Sequence, residues 1–157
     1  MIQRIQSAFL LAASILSIIF VFHPLSRMIL AGGISATFYT YALNNSTVPY
    51  EAIYHTFPIV VLAVLTTLLN LIAIFIYKRR VLQMRICVYN ILLTIGMIVL
   101  IFYYYFVFKS KLDVRTHAFS YSILFPFINV ILIFQAFRGI RRDDLLLKSY
   151  NRLRDKK

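Results

Sequence analysis

Three histidines, His23, His55 and His117, are the side chains in this sequence best suited to holding a metal ion. Imidazoles combined with a carboxylate bind zinc or copper, and Glu51 and Asp113 stand near two of them in the chain. All three histidines fall at the ends of apolar segments, on what the charge pattern below makes the outer side. Two readings follow: a small metal or ligand site at the outer face, or ordinary interfacial histidines. Haem between helices would want histidines within the apolar segments, where there are none. Cys87 is the lone cysteine, so no disulfide or CxxC pair exists within the chain. No HExxH, phosphate loop, nucleophile elbow or intramembrane carboxylate pair occurs. The sequence therefore predicts a non-enzymatic protein without a cofactor.

A second group of polar residues lies inside apolar stretches. Asn70, Asn90 and Asn129 stand 7, 4 and 8 residues from the inner ends of their segments, which predicts a shared depth in the inner leaflet. An amide in hydrocarbon needs a partner, so cross-helix contacts are expected; a polar ligand site for a lipid headgroup or quinone is the other reading. In the first segment Gln6, Ser7, Ser14 and Ser17 share an arc with Leu10 and Ala13. That small, polar arc is expected to pack inward, with Ile2, Ile5, Phe9, Leu16 and Phe20 facing lipid.

The elements that position these residues follow from composition. Of 157 residues, 61% are hydrophobic and only 14% charged, at a mean hydropathy of +0.81. Soluble domains average about half apolar and a quarter charged, so this is a membrane protein. About 20 apolar residues cross the hydrocarbon, and four windows qualify: 5–22, 57–77, 86–108 and 118–137. None contains an ionisable Asp, Glu, Lys, Arg or His, which argues against a pump or secondary transporter. Phe22-His23-Pro24 offers no small-residue cleavage site, so the first window reads as an uncleaved anchor. Pro58 opens the second span, where proline is tolerated. Pro126 falls within the fourth window and predicts a kink there.

Charge sets the orientation. Thirteen Lys and Arg lie at the amino terminus, in the loop between spans two and three, and in the carboxy-terminal tail; four lie in the other loops. By the positive-inside rule both termini are cytoplasmic. The net charge of +12 then points to anionic inner-leaflet lipid as the partner, and nucleic acid is not required to explain it. Tyr103, Tyr104 and Tyr105 are expected to anchor span three at the outer interface, and Tyr77 span two at the inner one.

Two regions lie outside the spans. In the outer loop 23–56, β-prone runs flank Gly32-Gly33 and predict a hairpin, which caps its own bundle or offers a docking edge. Asn44 and Asn45 precede Ser46-Thr47 as formal glycosylation acceptors, relevant only in a eukaryotic secretory pathway. The tail, 138–157, places Ile140, Leu146, Leu147, Tyr150 and Leu153 among Arg141, Arg142 and Arg154. That pattern predicts a basic amphipathic helix on the inner membrane face or on a partner. The fold class is thus an all-α membrane protein: a four-transmembrane-helix bundle over 1–137, with a small outer β-hairpin-like loop and a basic cytoplasmic tail helix over 138–157.

The opening Met1-Ile-Gln-Arg-Ile-Gln6 and the tail motif Leu147-Lys148-Ser149-Tyr150-Asn151-Arg152-Leu153-Arg154 resemble a Bacteroidota-type family of four-span inner-membrane proteins of unknown function. In that family an acidic residue often stands at the position of Asn151. The resemblance implies a bacterial inner-membrane location and no activity. An accessory or scaffold subunit of a larger membrane complex fits these features; a small ligand- or metal-binding membrane protein, using His23, His55 and His117, is the alternative.

Overall fold

The computed structural model describes the backbone of residues 2–30, 35–45, 52–77, 79–111 and 114–154. Among these described residues four helices and five strands follow one another. Helix α1 is Ile2–Phe22, and strands β1 (Ser26–Leu30), β2 (Ser35–Phe38), β3 (Ala42–Asn45) and β4 (Ala52–His55) follow it. Then come α2 (Phe57–Phe75), α3 (Arg80–Lys111), β5 (Val114–Phe119), a 3-10 turn Tyr121–Leu124, and α4 (Phe125–Arg154). Each helix packs on two others: α1 on α2 and α4, α3 on α2 and α4. Outward faces are apolar, with Leu11, Val64, Leu92 and Ile131 about half exposed. Among the described residues, Phe57–Phe75, Arg80–Lys111 and Tyr121–Leu147 are long and apolar enough to span a bilayer, and Gln6–Phe22 is a shorter apolar helix. The chain is an integral multi-pass membrane protein.

The sheet caps one end of the bundle, in the order β4-β3-β2-β1-β5, antiparallel throughout. The expected pairing across Gly32-Gly33 is β1 with β2, Ser26 opposite Phe38 and Ile29 opposite Ser35; the glycines themselves lie outside the described residues, as do Ser46, Thr47, Glu51 and Asp113. The hairpin is the centre of a larger sheet, because β5 from the third loop adds beside β1 and β3–β4 add beside β2. Period-two alternation makes the sheet two-faced: Met28, Ala36, Phe38 and Leu43 are buried. They close over Phe20, Ile59, Ala63, Met97, Ile101, Tyr105 and Phe108 in one core. Phe38 meets Phe108 edge-on at 5.2 Å between ring centres. Helix ends are tied to the sheet by Thr40 Oγ1 donating to the Phe20 carbonyl at 3.3 Å and Thr56 Oγ1 donating to the Thr40 carbonyl at 3.0 Å.

Several boundaries differ from expectation. The window beginning at Ala118 is not helical at its start: Ala118 and Phe119 end β5, and α4 begins only at Phe125. Aromatic and apolar residues in an edge strand raise a hydropathy window as much as helical ones do. Pro126 is therefore the second residue of α4, where its missing N–H has no intrahelical acceptor to lose, and the predicted mid-span kink does not arise. Pro58 occupies the same position in α2, so a Phe-Pro pair opens both helices. Helix α3 starts at Arg80 rather than Ile86, which shortens the predicted basic loop. The segment 138–157 does not begin a separate element: α4 runs unbroken to Arg154, and Ile140 and Asp143 within it are buried against the bundle.

Candidate functional site

Two surfaces and one interior seam bring polar side chains together. The first surface is the outward face of the sheet. Arg27 lies opposite Thr37 on β2 and Ala118 on β5, and alternation turns its side chain away from the core. A depression of about 600 Å³ is lined by Arg27, Ile29, Ser35, Thr37, Tyr39 and Thr116, among others. Arg27 also lines a neighbouring depression of about 460 Å³ with His23, Pro24, Phe119 and Tyr121. The guanidinium thus stands between two hollows. Such a face offers a cation, hydroxyls and aromatic edges, which suits an anionic or hydrogen-bonding surface.

The histidines do not converge there. His23 is exposed and sits edge-on to Phe125 at 6.2 Å. His55 ends β4 and His117 lies in β5, the two opposite edges of the sheet. Four strand spacings separate those edges, about 19 Å, too far for one ion to span within a single chain. Sequence adjacency to loop carboxylates carried the expectation, and strand order undoes it. Among the described residues no group of three potential metal ligands occurs.

The seam runs through the bundle. Asn90 Nδ2 donates to Asn70 Oδ1 at 2.7 Å and to the Thr66 carbonyl at 3.2 Å, joining α3 to α2. Asn129 Nδ2 donates to Ser17 Oγ at 2.8 Å, joining α4 to α1. Gln83 Nε2 reaches the Ala73 carbonyl at 2.9 Å. All these side chains are buried. The depth expected for Asn129 changes: it lies four residues into α4, about 6 Å from the sheet end of that helix, beside Ser17, which is five residues from the end of α1. It therefore belongs to the sheet-proximal half, apart from Asn70. Asn70 Nδ2, Asn90 Oδ1 and Asn129 Oδ1 have no protein partner among the described residues, so each amide uses only part of its capacity.

On α1, Gln6, Leu10, Ala13, Ser14 and Ser17 are buried and Ser7 is half-buried. Ser14 Oγ is spent locally, donating to the Leu10 carbonyl at 2.9 Å. Phe20 departs from the expected lipid-facing arc: it is buried under the sheet, because it stands three residues past Ser17 on the same helical face. Phe9 and Leu16 are half-buried, and Ile2 and Ile5 have side chains outside the described residues. The lipid-facing stripe is Leu11, Ile15, Ile18 and Phe22. Of the tyrosines, Tyr103 is exposed as an interfacial anchor should be, whereas Tyr105 is buried against Phe119 at 4.9 Å.

The second surface is the end remote from the sheet. Gln6 Nε2 donates to Asp143 Oδ2 at 2.6 Å, and Asp143 is buried. Gly139 makes the approach possible, since a Cβ there would lie 2.9 Å from Gln6 Cγ. Sequence reasoning placed Gln6 on the inward arc but missed Asp143 and Gly139; the available signal was their i, i+4 spacing below Ala136. Arg141, Arg142 and Leu146 are exposed, while the side chains of Tyr150, Leu153 and Arg154 lie outside the described residues.

A family model described as DUF4293, domain of unknown function, matches residues 2–153. No curated protein matches the chain.

Proposed function

This chain belongs to the DUF4293 family, and we propose that it serves as a non-enzymatic accessory or scaffold subunit of a larger membrane complex. The observation that supports this reading is the outward face of the sheet. Strands β1, β2 and β3 bury Met28, Ala36, Phe38 and Leu43 against the bundle, while the other face presents Arg27 between two hollows with Ile29 half exposed. Strand β5 forms one edge of the sheet, and a sheet edge can pair with another chain. In this reading all four helices cross the inner membrane of a Bacteroidota-type diderm bacterium. Both termini are cytoplasmic, the sheet lies outside, and the exposed arginines of α4 rest on anionic lipid. The thirteen-to-four distribution of basic residues supports that orientation.

Copurification from gently solubilised native membranes tests the proposal. A stoichiometric membrane-protein partner is the expected result. Recovery of the chain alone, or with bound metal in place of a protein, overturns it in favour of a ligand- or metal-binding protein.

A further inference from the structure

A groove of about 310 Å³ runs between α3 and α4 at the end remote from the sheet, lined by Val81, Met84, Arg85, Val88, Tyr89 and Phe137. Its chemistry is uneven. One cation and one phenol, Arg85 and Tyr89, both exposed, stand among apolar side chains. Helix α3 has 32 residues, about 48 Å at 1.5 Å per residue, against roughly 30 Å of hydrocarbon. Its first turns therefore lie at headgroup depth, and Arg85 stands about 7.5 Å along the helix from Arg80. One turn farther along each helix, Leu92 and Phe134 are exposed, so the apolar floor continues toward the bilayer centre. A guanidinium at headgroup level, a phenol beside it and an apolar track leading inward match the three parts of a phospholipid.

We propose that this groove holds one anionic phospholipid. The phosphate sits on Arg85, which binds phosphate oxygens in a bidentate fork, and Tyr89 donates its hydroxyl to the headgroup. An acyl chain lies over Val88 and Phe137 and on toward Leu92 and Phe134. Charge selects the lipid: Arg79, Arg80, Arg138, Arg141 and Arg142 stand at the same end of the bundle, and their field disfavours the ammonium of a zwitterionic headgroup. The proposal rests on α3 and α4 crossing the bilayer and is independent of any partner at the sheet.

The test is lipid titration of the delipidated full chain in detergent, read by native mass spectrometry with phosphatidylglycerol and phosphatidylethanolamine as probes. The wild type should take up a first phosphatidylglycerol well before phosphatidylethanolamine. Arg85→Gln should weaken that first binding about five-fold, the equivalent of the ~1 kcal/mol that one basic residue contributes near an anionic surface. Arg85→Lys should restore part of it, and Val88→Trp, which fills the groove and keeps the charge, should weaken it as well. Arg141→Gln removes the same charge elsewhere and should change it less than about two-fold. Equal uptake of the two lipids, or equal effects of Arg85→Gln and Arg141→Gln, overturns the proposal. A chain dimer whose formation Val88→Trp abolishes overturns it too, since a second copy then occupies the groove.

Discussion

The two ends of the bundle are held together by different chemistry. At the sheet end the core is built from large side chains, Phe20, Met28, Phe38, Ile101, Tyr105 and Phe108. At the other end it is built from smaller ones, Leu10, Ala13, Ala73, Cys87 and Ala136, with Ile133 and Ile140, laced by the amide contacts of Gln83 and Gln6. The sheet faces water on one side, so burying its apolar face gains the full hydrophobic contribution. Helices in lipid gain little from apolarity, and close approach of small residues with interhelical hydrogen bonds must serve instead. One chain thus uses two packing strategies, divided by where water can reach.

Substitutions at each end of the bundle probe that division. The largest effect expected is all-or-none: a membrane-impermeant thiol reagent applied to intact cells should label Ser35→Cys and leave Ser149→Cys unlabelled until the cells are permeabilised. Both positions are exposed, and the native Cys87 is buried. Labelling in the reverse order would refute the orientation. Next, Phe108→Ala removes the ring that seats Phe38 and should destabilise by about 3–5 kcal/mol, with hydrogen exchange rising in β1 and β2 before the helices. Uniform loss of protection would show that the sheet end is not a separate unit. Gly139→Val should cost about 1–3 kcal/mol through overpacking, by pushing Gln6 off Asp143, and thermal unfolding in lipid should register it. An unchanged midpoint would mean that α1 and α4 do not need their close contact. The smallest effect is Asn90→Leu, which removes both of its hydrogen bonds; such bonds average about 0.6 and reach about 1.7 kcal/mol in membranes. A loss above 3 kcal/mol would make the amide more than a cross-link between α2 and α3.

Much of the helical framework was legible in the sequence because apolar runs free of charge have few other uses. The amides were legible for the same reason, since a polar side chain in such a run must meet a neighbouring helix. The sheet was legible only at its centre, where the Gly32-Gly33 pair marks a turn between two β-prone runs. Strand β5 was hidden because Ala118 and Phe119 suit a lipid-facing helix as well as a strand, and that ambiguity displaced the start of α4 and the role of Pro126. Strands β3 and β4 carry too few residues for an alternating pattern to stand out. The Gln6–Asp143 contact was not legible because the i, i+4 spacing of Gly139 and Asp143 does not by itself show that α1 approaches so closely. The histidine site failed on topology: strand order, which no spacing reveals, puts His55 and His117 on opposite edges.

In the proposed arrangement the outward face of the sheet meets another protein while the helix flanks meet lipid. Site-specific photocrosslinking in native membranes tests it most directly, with a photoreactive residue placed at Thr116, which lines the hollow beside Arg27, or at Val99, which is exposed on α3. One discrete protein adduct is expected from Thr116, diminished by Arg27→Glu, and lipid adducts alone from Val99. A discrete protein adduct from Val99 with none from Thr116 would contradict it.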